Sequence, residues 1–223
     1  MAVRTSPAVE DYLKAIQALE WESGSHSAIA TTDVAARLAV SAASATNMVK
    51  RLAAMGLVKH APYKGATLTE PGRKIALEVI RHHRLLETYL AEALGVPWDR
   101  VHEEAEVLEH VLSEDLEDRI AARLGDPKAD PHGHPIPSKD GSMPTASGRS
   151  LWDVADGTSA VVERVSDEHP NALRFLADAG ILPGASVEVT GRGPVEGPLH
   201  VAVDGNETVH ALSKELAEDV WVV

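Results

Sequence analysis

The 223-residue chain combines a 44% apolar content with 25% charged residues, a net charge of −13 and no cysteine. That length supports a sizeable core divided into two or three small domains, and the missing cysteine removes disulfides, thiolate metal sites and cysteine nucleophiles, leaving nitrogen and oxygen as ligands for any metal. No segment has the apolar span of a membrane helix, and the start MAVRTSPAVEDYLKAI lacks a basic flank followed by an apolar run, so a soluble, cytoplasmic protein with no membrane partner is expected.

Charge is unevenly spread. Residues 1–73 hold eight Lys/Arg against six Asp/Glu, a balance of +2, so the remaining chain carries −15. A slightly basic head on an acidic body is compatible with DNA binding by the head.

In chain order, Ser6-Pro7 reads as a helix start, and Val9, Leu13, Ile16 and Leu19 follow at helical spacing. Thr31-Thr32-Asp33 is expected to cap a short helix, VAARLAV. Ser41 is expected to cap a second, AASATNMVKRLAAMG, which Gly56 ends and which sends Val49, Leu52 and Met55 to the core. This is a helix-turn-helix pattern. Thr32, Ser41, Ser44, Thr46, Asn47, Lys50 and Arg51 are the candidate DNA contacts: small hydroxyls approach phosphates closely, Asn pairs with adenine in the major groove, and the cations bind the backbone. The stretch LVKHAPYKGATLTEPGR reads as strand, Lys64-Gly65 turn and strand, a wing with Lys64 at its tip. The bland alternative is a helical packing module with incidental serines.

One long helix is expected over 72–94, a break at Gly95-Val96-Pro97-Trp98, and a second helix over about 99–124. Ile75, Val79, Leu86, Leu90 and Leu94, with Val101, Leu108, Leu112, Leu116 and Ile120, offer more apolar surface than two helices bury on each other. A homodimer follows, and a two-fold dimer is the usual reader of palindromic double-stranded DNA. On the same helices His83 and Glu87 lie four residues apart, while Glu106, Glu109 and His110 repeat the i, i+3, i+4 spacing. Two readings stand side by side here: an inward-facing set of divalent-metal ligands, or a solvated acidic face.

Residues 126–150, DPKADPHGHPIPSKDGSMPTASGRS, are dense in Pro, Gly and Ser and read as a linker without regular structure. Its His132 and His134 read as incidental rather than metal-binding. From 151 onward, TSAVVERV, ASVEVTGR, PLHVAVDG, ETVHALS and DVWVV are short strands, with a helix at NALRFLADAG, which together suggest a small SH3-like barrel. The expected fold class is α+β, with boundaries at 1–73 (winged helix-turn-helix), 74–148 (helical metal-binding and dimerisation domain with its linker) and 149–223 (SH3-like domain).

This order of parts, and the segments EDYLKAI, RHHRLLETYL and VHEEAEVLEHVLSEDLEDR, resemble the diphtheria toxin repressor family of metal-dependent transcriptional repressors across essentially the whole chain. The resemblance implies one metal set of Asp11, Glu106, Glu109 and His110. It implies a second of His83, Glu87 and His102 completed from VERVSDEH, with Asp167 first and Glu168 or Glu163 next. Iron-sensing members resemble a Met and a Cys where Asp11 and Glu106 stand here. Carboxylates in those places favour Mn²⁺, with Fe²⁺ as the alternative cofactor. Where the short manganese regulators resemble a second acid one turn after Asp11, this chain has Lys14. The implied function is a repressor of metal-homeostasis genes acting at a palindromic operator. A metalloenzyme or a metal-buffering protein is the more distant reading, and the sequence offers no catalytic constellation.

Overall fold

The computed structural model describes residues 5–24, 28–61, 64–143, 148–195, 197–205 and 208–223. Among these the chain forms eight α-helices and eight β-strands and falls into two compact units. Residues 62–63 of the expected wing turn, 144–147 of the expected linker and Glu207 of the strand ETVHALS lie outside the described residues.

The first unit comprises Met1–His82, Glu109–Leu112 and Pro137–Ser142. Helices α1 (Pro7–Glu22), α2 (Thr31–Arg37) and α3 (Ala42–Ala54) precede an antiparallel hairpin of β1 (Val58–Ala61) and β2 (Gly65–Leu68), and α4 (Glu70–Leu94) begins here. The expected periodicities converge on one core: Val9, Leu13 and Ile16 of α1, Val34 of α2, and Ala45, Val49 and Leu52 of α3 are buried together. Pro7 occupies the first turn of α1, and Ser41 caps α3 by accepting a hydrogen bond from the Ser44 amide. Gly56 ends α3 at φ +74°, which costs little without a Cβ. Gly65 opens β2 at φ +95°, where a Cβ would stand 2.4 Å from the Ile29 carbonyl oxygen. That close approach lets Ile29 and Ala66 exchange two 2.8 Å backbone hydrogen bonds beside the wing.

Two local expectations need correction. Helix α2 begins at Thr31 after Ala30, without a side-chain cap, because the pairing of Ile29 with Ala66 ends the extended chain one residue earlier than the hydroxyl pattern suggests. Met55 is exposed rather than in the core, since α3 ends one residue before it and Met55 is its C-cap.

The second unit comprises His83–Leu108, Ser113–Ile136 and Met143–Val223. It holds the rest of α4, α5 (Val101–Leu108), α6 (Glu114–Arg123) and the C-terminal sheet. Instead of one helix over 99–124 there are two. Ser113 caps α6 by accepting from the Leu116 amide, and Glu114, Asp115 and Glu117 crowd the first turn, where carboxylates favour a helix N-terminus.

Among the described residues of 126–148 the stretch after α6 lacks regular helix or strand, and the last two residues of the expected linker, Arg149 and Ser150, form a short strand; it is nevertheless not a bare tether. The Ile136 amide donates to the Lys128 carbonyl, Asp130 and His134 bond through their backbones, and the Val165 amide donates to the His132 carbonyl at 2.9 Å.

In the C-terminal part, β3 (Arg149–Ser150), β4 (Thr158–Val165), β5 (Ser186–Arg192), β6 (Leu199–Val203), β7 (Val209–Leu212) and β8 (Val220–Val222) form an antiparallel sheet in the order β3-β8-β4-β5-β6-β7. Helices α7 (Pro170–Asp178) and α8 (Lys214–Glu218) lie between strands. Alternating inward residues such as Val187, Val189, Leu199, Val201 and Val203 bury one face, and the register shifts at Val162/Arg164 and Val189/Gly191 are irregularities of the kind that bend a strand. This is the expected small SH3-like barrel within an α+β protein.

Candidate metal centre and nucleic-acid interface

In the second unit, α4 presents His83 and Glu87 on one face, as the i, i+4 spacing requires, and α5 brings His102 opposite them. His83 Nε2 lies 3.0 Å from Glu87 Oε1 and 3.1 Å from His102 Nδ1, and His102 Nδ1 lies 3.2 Å from the same Glu87 oxygen. Asp167, from the loop between β4 and α7, places Oδ2 3.4 Å from His102 Nδ1. Of the other acids named for this loop, Glu163 bonds Arg164 at 2.6 Å. The Glu106 carboxylate, grouped by the resemblance with Asp11, stands 3.8 Å from both His83 Nδ1 and His102 Nε2.

His132 joins this group. It is fully buried, and its Nε2 lies 2.8 Å from the Trp98 carbonyl oxygen. A carbonyl only accepts, so Nε2 carries a proton, and in the neutral ring Nδ1 presents a lone pair. That lone pair faces Glu87 Oε1 at 3.8 Å; neither His132 Nδ1 nor Glu87 Oε2 has a hydrogen-bond partner among the described residues. Buried lone pairs turned toward one another without a proton between them are costly, and a cation relieves them. Donor separations of 3.0–3.4 Å also match the edges of a coordination polyhedron with bonds of about 2.1 Å. The residues therefore fit a divalent ion held by nitrogen and oxygen. Asp130 supports the arrangement by accepting from the His132 and His134 amides at 2.9 and 3.0 Å. Asp130, His132 and His134 themselves form a further group with ligand-like spacing.

The charges are mutually dependent. Burial alone would lower the His102 imidazole, but its hydrogen bonds to Asp167 and Glu87 and their negative charge push it up to about 10. Burial raises Glu87 and Asp167, and the facing histidines hold both below the usual carboxylate range. Because the folded value of His102 lies above its unfolded one, the stability it contributes is complete below about pH 6.5 and is lost as pH rises towards 10. A metal ion must displace that proton. Calorimetric Mn²⁺ titrations at pH 7.5, in buffers of different ionisation enthalpy, should show about one proton released at this group, with affinity weakening as pH falls; release of none would exclude His102 as a ligand.

In the first unit a second group forms around the Glu109–Leu112 segment. His110 Nδ1 lies 2.6 Å from Glu10 Oε2, and its Nε2 lies 2.9 Å from Asp11 Oδ1 and 3.6 Å from Glu109 Oε1. A neutral ring donates from one nitrogen only, leaving the other lone pair turned to a carboxylate, and a cation relieves that contact too. Asp11, Glu109 and His110 offer ligand atoms within 4.8 Å of one another. The Glu109 carbonyl accepts from His82 Nδ1 at 3.2 Å, which helps hold the chain out of helical geometry there.

The residues expected to contact DNA are mostly exposed on the helix-turn-helix and wing. Ser41, Ser44, Asn47, Lys50 and Arg51 are exposed on α3, Thr46 is half-buried with its hydroxyl on the Ala42 carbonyl, Thr32 is exposed on α2, and Lys64 is exposed at the wing turn.

Sequence reasoning passed over four residues that the structure places in or against these groups. Glu10 neighbours Asp11 along a helix and so points elsewhere by itself; only His110 between them makes both relevant. His132 and His134 belong to an irregular segment in which no periodicity signals burial. Asp130 was hidden in the same stretch.

A winged helix-turn-helix joined to helices rich in imidazole and carboxylate, and then to an SH3-like barrel, defines a metal-responsive DNA-binding regulator. Residues 4–66 match the iron dependent repressor N-terminal DNA binding domain, 69–138 the iron dependent repressor metal binding and dimerisation domain, and 149–223 the FeoA domain. The chain is 37% identical over 227 residues to the iron-dependent repressor IdeR of Mycobacterium tuberculosis (strain ATCC 25618 / H37Rv), covering 96% of this chain and 95% of the relative. It is 33% identical over 193 residues to the diphtheria toxin repressor of Corynebacterium diphtheriae (strain ATCC 700971 / NCTC 13129 / Biotype gravis), covering 82% and 84%. A manganese-dependent transcriptional repressor solved in complex with manganese superposes with a TM-score of 0.88 at 44% identity, covering 96% of this chain and 99% of that one. The chain belongs to the iron-dependent, or diphtheria toxin, repressor family and is a metal-dependent transcriptional repressor.

Proposed function

We propose that this repressor senses Mn²⁺ and, when loaded, closes metal-homeostasis genes by binding a palindromic operator as a homodimer. The carrying observation is the donor set. Asp11, Glu109 and His110 in one group, and His83, Glu87, His102 and Asp167 joined by His132 in the other, are all oxygen and nitrogen, with Glu106 beside the second group. Hard carboxylates suit Mn²⁺, and the similarity to a manganese-dependent repressor supports the same choice. Fe²⁺ is the second reading, because such sites bind it as well and the IdeR relatives are iron-dependent.

A bound divalent ion supplies positive charge among carboxylates that otherwise repel one another. Asp11 lies on the first helix of the DNA-binding domain, and Glu109 and His110 come from the segment between α5 and α6, so this set ties α1 to that segment and fixes the posture of the reading helix. On that helix Asn47 reads a base edge, Ser41, Ser44 and Thr46 approach the backbone, and Lys50 and Arg51, with Lys64 on the wing and Thr32 on α2, contact phosphates. Leu94, Val107 and Leu116 are 61%, 72% and 48% exposed, which supplies apolar surface for the dimer. The protein acts by binding, with no turnover, in the cytoplasm. Among the described residues no helix is long and apolar enough to cross a membrane.

Titrating Mn²⁺, Fe²⁺, Co²⁺ and Zn²⁺ into the protein with palindromic DNA selected from a random pool tests this. Mn²⁺ should drive retardation at the lowest concentration of ions available in the cell, and DNA binding should be weak in chelator. Retardation independent of metal would sink the regulatory reading, and a response to Fe²⁺ below that to Mn²⁺ would move the repressor to iron.

A further inference from the structure

Helix α1 turns two side chains of opposite charge toward the same short segment. Asp11 and Lys14 are three residues apart and so share a face. Asp11 meets His110, while Lys14 Nζ donates to both carboxylate oxygens of Glu109, at 3.0 and 2.8 Å. The Glu109 side chain is 0% exposed, and a carboxylate so buried needs a counter-charge. Lys14 supplies it. The Lys14 side chain is itself 19% exposed at the end of a flexible stem, so the ammonium can reach water without disturbing α1.

We infer that Lys14 is an internal cation that competes with the divalent ion for Glu109 and thereby sets the metal concentration at which the repressor switches. This rests on the reading that Asp11, Glu109 and His110 hold an ion. An ammonium and a divalent ion bonded to one buried carboxylate repel each other across a few ångströms of low-dielectric interior, so loading the ion expels the lysine. The carboxylate is never left alone: it exchanges one cation for another. The switching threshold then depends on how firmly Lys14 holds Glu109, and not only on the ligands. A chain with a neutral residue at this position would respond to much less metal.

The test uses the full-length protein and MnCl₂. In Lys14→Gln the Mn²⁺ affinity of this group, read by isothermal titration calorimetry, should tighten by about tenfold or more, the size of a lost charge-assisted hydrogen bond. Lys14→Arg keeps the charge and should stay near wild type. In the wild-type protein, labelling of Lys14 by an amine-reactive reagent, read by mass spectrometry, should rise when Mn²⁺ is added. Circular dichroism and gel filtration check that the variants fold. Unchanged or weaker Mn²⁺ binding in Lys14→Gln overturns the inference, the weaker case making Lys14 a support that orients Glu109. Tighter binding without Mn²⁺-dependent exposure of Lys14 also overturns it, since the lysine then acts through its field from a fixed place. If Asp11→Ala binds as much Mn²⁺ as wild type, the assignment of the site fails instead, whatever Lys14 does.

Discussion

Asp11→Ala should abolish metal-activated operator binding while leaving a folded dimer. Asp11 sits on the solvent side of α1, its side chain 39% exposed, and the core of that helix is made by Val9, Leu13 and Ile16. Alanine is the strongest helix former, so the helix itself loses nothing. His110 keeps its 2.6 Å contact with Glu10. What disappears is the oxygen by which, on the proposed assignment, the DNA-binding domain shares a ligand set with Glu109 and His110. The loss should equal the whole coupling between metal and DNA, about 5- to 150-fold in operator affinity at a metal concentration that saturates the wild type. By the same linkage, operator DNA should no longer tighten Mn²⁺ binding. Fluorescence anisotropy with labelled operator, with and without Mn²⁺, reads the first effect, and gel filtration confirms the dimer. A variant activated as strongly as wild type would show that Asp11 carries no regulatory contact.

The parts that sequence reasoning could reach are those in which chemistry follows local periodicity. His83 and Glu87 sit one turn apart on a helix that runs without interruption, so their meeting is dictated by 3.6 residues per turn. The exposed polar face of α3 is legible for the same reason, since Ala45, Val49 and Leu52 turn inward and leave Ser44, Asn47 and Arg51 outside. The wing is legible because glycine opens β2 at a turn. Elsewhere tertiary contacts decide. The break between α5 and α6 had a signal, Ser113 followed by Glu114, Asp115 and Glu117, but the apolar spacing across it continues well enough to suggest one helix. Glu109 leaves the helix to meet Lys14, a contact across 95 positions that no window contains. His132 is buried through the pairing of its carbonyl with the Val165 amide and of its ring with the Trp98 carbonyl. Proline and glycine around it signal only irregularity, and irregular segments serve both as tethers and as binding loops. Asp167 was reached through the family resemblance and not through spacing, because a loop between a strand and a helix carries no periodicity.

Glu87→Gln should remove one Mn²⁺ per chain and leave the other, so that calorimetry or elemental analysis finds one ion where the wild type binds two. Glu87 is fully buried and stands among His83, His102 and His132, at 3.0, 3.2 and 3.8 Å. Glutamine has the same shape and no charge. It cannot bond a divalent ion as a carboxylate does, and its amide protons face imidazole nitrogens. In chelator the variant should already melt below wild type at neutral pH. The depressed Glu87 carboxyl contributes stability that is present above the unfolded value of about 4.5 and is lost as pH falls, and glutamine forfeits it at every pH. Adding Mn²⁺ at a hundredfold excess over its dissociation constant stabilises a wild-type site by about 2.7 kcal/mol, which for a chain of this size raises the melting temperature by about 5–10 °C. In Glu87→Gln the share of that rise from the second unit should vanish. Asp11→Ala should lose the other ion, and with it the DNA response, while keeping this stabilisation. Two variants that each remove one ion, with different consequences, separate the ion that steers the reading helix from the ion that holds the second unit. Glu87→Gln protein that still bound two Mn²⁺ ions, or showed the full thermal shift, would place the second ion elsewhere.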